Sequence, residues 1–242
     1  MYKVAWRRKH DINERAFYAY LQTKLNIQTK EYIASLEDKD PRVFHITSYF
    51  NDAWMMEILK DVYTKFGLKQ YAFLKTISTK DEESDEEDFN NAWLLLLLLL
   101  FNDITTFIVA LGIIHTIKVD IARFVKEKLS QGVSTSAIIT MLSVYLMQKN
   151  IIRSQTIART EITKIMNLAT YKWAEMQPTP KKKKWIVTLD SKERASHGAM
   201  ASYPAINLSE KFLVGSSLMM HPGDNSAPAE ELVNCRCALM FV

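Results

Sequence analysis

Apolar residues recur at helical spacing along most of the chain. Phe17, Leu21 and Leu25 fall at i, i+4 and i+8 within Glu14–Leu25, and Tyr18 and Tyr20 widen that stripe. Met55, Ile58, Leu59, Val62 and Phe66 repeat the pattern within Trp54–Phe66. Residues 1–75 therefore read as helices, punctuated at Pro41 and Gly67. Thr79–Asn91 shows no apolar period, and its like charges repel, so a solvated acidic loop over 79–91 is expected. Helix is expected again from Trp93 to Leu129, with a break near Asn102 or Gly112. Gly132 then suits a left-handed cap and Ser134 an N-cap. Ala137, Met141 and Tyr145, with Ile138, Leu142 and Leu146, make the stripe of the next helix. After Ile151, Ala158, Ile162, Ile165, Ala169 and Trp173 share one face, leaving Arg159, Thr163 and Lys164 toward another. Pro178 and Pro180 stop that helix.

The periodicity then changes. Trp185–Leu189 (WIVTL) is a short β-branched and aromatic run, the mark of a strand. Lys211–Met220 reads as two strands around a Gly215-Ser216 turn, and Cys235–Val242 as a last strand. The expected class is α+β: a mostly α-helical body followed by a small C-terminal domain with short antiparallel strands. The expected division is a helical extension over 1–117, holding the acidic loop and an apolar helix over 93–117, then a second domain over 118–242. That second domain comprises helices over 118–176 and a β-containing part over 181–242.

At 242 residues, with 48% hydrophobic and 24% charged side chains, the chain is long enough for a sizeable core and is not disordered in composition. Two cysteines, both near the end, give no disulfide framework and fit a reducing compartment. Tyr2–Glu14 is polar and basic, so no secretory signal is expected. The net charge of +4 conceals an asymmetry, because Asp81–Asp88 (DEESDEED) is acidic at seven of eight positions while residues 118–242 carry 17 basic and 10 acidic side chains. That balance permits non-specific contact with DNA without establishing it.

Trp93–Leu111 (WLLLLLLLFNDITTFIVAL) approaches the length of a membrane span. Its apolar residues contribute roughly −4 to −8 kcal/mol to insertion, but a central Asp103 costs roughly +2.5 to +3.5 kcal/mol and Asn102 adds to the cost. A membrane partner is therefore not expected. Burial among helices or in an oligomeric interface is the reading adopted for this run.

Reactive side chains concentrate in the tail. Asp190, Lys192, Arg194 and His197 follow a predicted strand, and His221, Asp224, Glu230, Glu231, Cys235 and Cys237 come later. Thiolates and imidazole are zinc donors, so one alternative is a metal-dependent nucleic-acid-processing enzyme built on His197, Cys235 and Cys237, completed by His221 or Asp224. A single C-x-C lacks the paired spacing of a zinc finger, and no metal or cofactor is expected. Asp190, His197 and Glu231 would form an acid–base set if they converged. The simpler expectation pairs Asp190 and Arg194 with each other or with backbone groups and leaves His197 structural. Lys181, Lys182, Lys183 and Lys184 are candidate phosphate contacts, or simply a solvated linker. The sequence shows no phosphate-binding glycine loop and no nucleophile elbow.

Several fragments in order carry a resemblance. They are Ile157-Ala158-Arg159-Thr160-Glu161, then Asn167 and Ala169, then Lys184-Trp185. Asp190, Lys192, Arg194 and His197 follow, then Phe212–Leu218, Pro222-Gly223-Asp224, and the closing Glu231-Leu232-Val233-Asn234-Cys235-Arg236-Cys237. Over Lys118–Leu239 the chain resembles the phage Mu F-like minor head proteins, the head-morphogenesis domain of tailed phages. Lys192 stands where the family usually has arginine, and Ala201-Ser202 replaces a common acidic-glycine pair. The resemblance implies a structural virion protein of the head, assembled in the host cytoplasm, and not an enzyme. It implies portal, capsid and scaffold proteins as partners within an oligomeric assembly, with a role in DNA packaging or ejection in some members. An alternative of another kind is a membrane-active DNA-delivery protein. Val242 lies five residues past Cys237, so no appended enzyme domain is expected. The motif residues Arg159, Thr160, Glu161, Trp185, Asp190, Arg194, His197, Asn234, Cys235, Arg236 and Cys237 are expected to knit the C-terminal domain structurally.

Overall fold

The helical stripes become long helices in a computed structural model that describes residues 2–36, 46–77, 86–102, 104–178 and 182–242. These are α1 (Tyr2–Ala34), α2 (Ile46–Tyr49), α3 (Asp52–Ile77), α4 (Glu86–Asn102), α5 (Ile104–Ser130) and α6 (Thr135–Glu175). The remainder is β1 (Lys182–Ile186), α7 (Ala195–Ala199), a 3₁₀ turn at Met200–Ser202, β2 (Ile206–Asn207), β3 (Phe212–Val214), β4 (Ser217–Met219), α8 (Ala229–Leu232) and β5 (Ala238–Phe241). The fold is α+β, as the sequence pattern implies.

Three expectations are corrected. Gly67 does not punctuate a helix but lies inside α3. A Cβ there would stand 2.0 Å from Trp93 Cζ2, so the glycine clears space for an indole and is not a helix stop. Gly112 is likewise interior to α5, and Asp103, beside the other expected break at Asn102, lies outside the described residues. The third correction concerns the acidic stretch, where Glu86–Asn91 already belongs to α4. Phe89 and Trp93, at i and i+4, stack on one another and Phe89 stacks on Tyr71 with ring centroids 3.9 Å apart. Burying two aromatic side chains contributes roughly 3–6 kcal/mol, whereas exposed like charges cost tenths, and acidic groups in a first turn favour the helix dipole. Packing therefore outweighs repulsion. Residues 81–85 of the run lie outside the described residues.

The contacts divide the chain into two compact units that interleave in sequence. One gathers Met1–Phe17, Val62–Leu99 and Thr156–Val242, and the other Tyr18–Asp61 and Leu100–Gln155. The second unit is helical, with Leu21, Leu25, Tyr32, Phe50, Ile58, Ile117, Ile121, Leu142 and Leu146 in its interior. Asn150 Nδ2 donates there to Asn26 Oδ1 and Thr29 Oγ1, and Arg153 pairs with Asp120 at 2.9 Å.

In the first unit, α6 from Thr156 onward is buried on nearly every side. Ala158, Ile162, Ile165, Ala169 and Trp173 are buried as their spacing predicts, but so are Glu161, Thr163, Lys164 and Asn167 on the other face. Beyond it, β1 is the central strand of an antiparallel sheet ordered β2-β1-β5, with Lys183 opposite Phe241 and Trp185 opposite Leu239. β3 and β4 form a separate hairpin. Gly215 opens its two-residue turn at φ 58°, a conformation glycine adopts without steric cost. Trp185, Phe212, Val214, Met219, Cys235, Cys237 and Leu239 make the small core between these pieces.

Candidate functional site

The polar face of α6 holds the segment that carries the closing motif. Thr160, Thr163 and Asn167 stand at i, i+3 and i+7, so their side chains line one stripe of the helix. Thr160 Oγ1 accepts from the Asn234 N–H at 3.0 Å, and Thr163 Oγ1 donates to the Cys235 carbonyl at 2.5 Å. Asn167 donates to the Cys237 carbonyl at 3.0 Å and accepts from the Leu239 N–H at 2.7 Å. Four side-chain-to-backbone bonds thus hold residues 234–239 against α6. Asn234 takes a positive φ of 61°, which asparagine tolerates better than most residues.

A second layer supports that stripe from behind. His10 Nε2 lies 2.9 Å from Thr163 Oγ1. That hydroxyl spends its proton on Cys235, so His10 must be the donor and carries its proton on Nε2. Arg159 donates through Nε to Glu14 Oε1 at 3.0 Å. Glu161 receives the Tyr63 hydroxyl and pairs with Lys164 at 2.8 Å, both acid and base being buried. The turn at Pro222-Gly223-Asp224 presses on the same helix, for a Cβ on Gly223 would meet Lys164 Cα at 2.8 Å. Asp224 closes that turn by accepting from the Met220 and Ser226 amides, and His221 Nδ1 donates to the Pro222 carbonyl at 3.1 Å. Neither residue joins His197, so they do not complete a zinc set.

The residues after β1 separate into two groups. Asp190 pairs with Arg236, not with Arg194, and also accepts from the Lys192 amide at 3.2 Å. Arg194 instead donates to the Val233 carbonyl. Both arginines thereby tie the β1–α7 connection to the closing motif, one through a carboxylate and one through the backbone. The alternative acid–base set of Asp190, His197 and Glu231 does not form, since Asp190 is engaged with Arg236.

His197 enters the other group with Cys235 and Cys237. Its Nδ1 is 3.6 Å from Cys235 Sγ and 3.4 Å from Cys237 Sγ, while Nε2 is 3.0 Å from Glu231 Oε2. That last contact is close but not aligned as a hydrogen bond, so its attraction is electrostatic. Ser196 Oγ donates to the same carboxylate oxygen at 2.9 Å. Trp185 packs edge-on against the imidazole, with centroids 5.6 Å apart. His197, Cys235 and Cys237 are 2%, 2% and 4% exposed. The Cys235 S–H, donating to its neighbour, holds the Cys237 thiol well below its usual value despite burial; His197 and the Trp185 indole act in the same direction. The same shared proton, with burial, pushes Cys235 up.

The four-lysine run requires correction. Lys183 is fully buried within β1, its Nζ donating to the Met220 carbonyl at 2.9 Å and lying over the Tyr171 and Phe212 rings. Burial pushes its amine down to about 8, against the pull of Asp224, Glu175 and Glu210. It cannot meet a phosphate. Lys182 is exposed and Lys184 half-buried in the same strand, so this is a sheet segment and not a linker. Lys181 lies outside the described residues. Thr163 is the contributor that apolar spacing missed, although the polar stripe Thr160, Thr163 and Asn167 was available as a signal.

Residues 119–240 match the family described as Phage Mu protein F like protein, half of the chain. No curated protein and no solved structure matches.

Proposed function

The chain belongs to the phage Mu protein F-like family, a structural family of phage head morphogenesis, and from that premise we propose that it is a minor head protein that joins portal and capsid proteins during prohead assembly. The family match over residues 119–240 carries this reading. The motif residues serve the fold: Thr160, Asn167 and Arg194 bond the protein's own backbone, Asp190 pairs with Arg236, and the reactive groups stay enclosed.

The helical part supplies a contact surface. The Leu run of α4 is split by its own periodicity, with Trp93 and Leu97 buried and Leu94 and Leu95 exposed at 51% and 58%. Leu95 and Leu96 border a shallow groove shared with Ala92, Lys172 and Glu175. Adjacent exposed leucines beside a charged pair suit a protein partner with an apolar centre and polar rim. Burial of His197, Cys235 and Cys237 argues against a substrate reaching them, which counts against the nucleic-acid-processing alternative. Among the described residues no helix is long and apolar enough to cross a membrane.

The test is quantitative mass spectrometry of proheads and purified particles, paired with co-purification of the portal protein by wild-type chain and by the Leu94→Glu, Leu95→Glu double variant. A low copy number tracking the portal, with capture lost in the variant, is expected. Absence from both proheads and particles would refute the assignment.

A further inference from the structure

The two thiols and the imidazole lie buried together where no one hydrogen-bond scheme serves them well. His197 Nδ1 can direct a single proton at one sulfur, yet both sulfurs lie at nearly the same distance from it, 3.6 and 3.4 Å. A tetrahedral ion with metal–sulfur bonds near 2.3 Å and a metal–nitrogen bond near 2.0–2.1 Å places sulfur and nitrogen about 3.6 Å apart. The observed separations are those of ligands around one centre. All three donor atoms lie within 4.8 Å of one another.

The surroundings match the same chemistry. Glu231 sits on Nε2, the nitrogen facing away from the sulfurs, at 3.0 Å, and is itself held by Ser196. A carboxylate behind a ligating histidine fixes its ring and raises its basicity. The Cys237 amide donates to Cys235 Sγ at 3.4 Å, a contact that stabilises a thiolate. Two thiolates and one imidazole form a borderline-soft set that suits zinc better than a hard cation. Gly215 completes the arrangement, because a Cβ there would press on Glu231 Oε1 at 2.9 Å and displace the carboxylate.

We propose that His197 Nδ1, Cys235 Sγ and Cys237 Sγ bind a zinc ion, with Glu231 as the positioning residue behind the histidine. The fourth position belongs to a non-protein donor such as water. The ion would tie α7 to the segment leading into β5, serving the architecture and not catalysis. Among the described residues the other cluster of suitable groups, His10, Asp11 and Glu14, is a poorer candidate, since Arg159 already neutralises Glu14 and Asp11 is exposed.

The full chain, purified under reducing conditions without chelator, is assayed for metal by mass spectrometry, then stripped and titrated with cobalt(II). One zinc per chain and a thiolate-to-cobalt charge-transfer band of two-sulfur intensity are expected. Protein that neither carries zinc nor gives the band with cobalt would overturn the proposal. Cobalt bound without any sulfur band would overturn it too, by placing the metal at oxygen and nitrogen donors. Cys237→Ser should lose the stoichiometric zinc. Should that variant fail to fold, the wild-type cobalt spectrum still decides. Glu231→Gln should keep one zinc per chain with affinity roughly 10–100-fold weaker. Unchanged affinity in that variant would remove Glu231 from the assignment.

Discussion

Glycine to alanine in the middle of a helix ordinarily stabilises by about 1 kcal/mol, because alanine is the better helix former and the unfolded chain loses freedom. Two interior helical glycines in this protein should respond with opposite signs. At Gly112 of α5 nothing lies within 4 Å of an added Cβ, so Gly112→Ala should gain close to the full amount. At Gly67 of α3 the new methyl would stand 2.0 Å from Trp93 Cζ2 and 2.2 Å from Cε2. Carbon atoms in contact prefer about 3.5–4.0 Å, so the indole must retreat by more than an ångström. Trp93 is buried and stacked on Phe89, which is stacked on Tyr71, so moving the ring disturbs that stack. Overpacking of this kind costs about 1–3 kcal/mol and occasionally more, and the severity of the overlap puts it at the upper end. After the propensity gain, Gly67→Ala should lose about 2 kcal/mol. Urea denaturation followed by far-ultraviolet circular dichroism measures both. Combining Gly67→Ala with Trp93→Leu should cost less than the sum of the single changes, because the smaller side chain makes room for the methyl. A Gly67→Ala protein as stable as wild type would refute the account of why α3 carries a glycine there.

Other consequences are equally direct. Asn167→Ala would remove its bonds to the Cys237 carbonyl and the Leu239 amide, should destabilise by about 1–3 kcal/mol, and should accelerate hydrogen exchange at Leu239 before it affects α5. The Lys183 amine, lowered to about 8 from 10.5, binds fewer protons folded than unfolded between those values, so its contribution to stability rises with pH across that window. Denaturation of wild type and Lys183→Met from pH 7 to 10.5 should show this rise in the wild type alone, and parallel curves would contradict it. Gly223→Ala combines a φ of 81° with a contact of 2.8 Å to the α6 backbone, and should lower the thermal midpoint more than Gly132→Ala, which has the positive φ without the contact.

Helices and the hairpin were readable because each depends on local spacing. The stripe from Phe17 to Leu25, the Gly215 turn and the strand leading to the C-terminal residues all follow from neighbours a few positions apart. What escaped depends on partners far along the chain. Gly67 reads as a helix breaker until Trp93 is seen beside it. The polar positions of α6 look solvent-facing until the closing motif covers them, because a periodicity reports one apolar face and is silent about polar burial satisfied from elsewhere. Lys183 reads as one of four alike, yet strand alternation turns it inward with Trp185. The donor chemistry of His197, Cys235 and Cys237 is legible in the sequence, but their distances follow only from the fold. Asp190 choosing Arg236 over the nearer Arg194 likewise has no sequence signal, since both are arginines within reach of the motif.

The interleaving of the two units sets an order of completion during synthesis. Every segment of the helical unit is made once Gln155 has been translated, while the other unit still lacks Thr156–Val242. Met1–Phe17 is therefore made before every segment of the helical unit, yet belongs to the unit that closes later. His10 waits for Thr163, and Thr163 in turn for Cys235, a gap of 72 residues. Until then the Trp6, Phe17 and Trp93 surfaces lack their full cover, and the nascent chain depends on chaperones or on speed to keep them from aggregating.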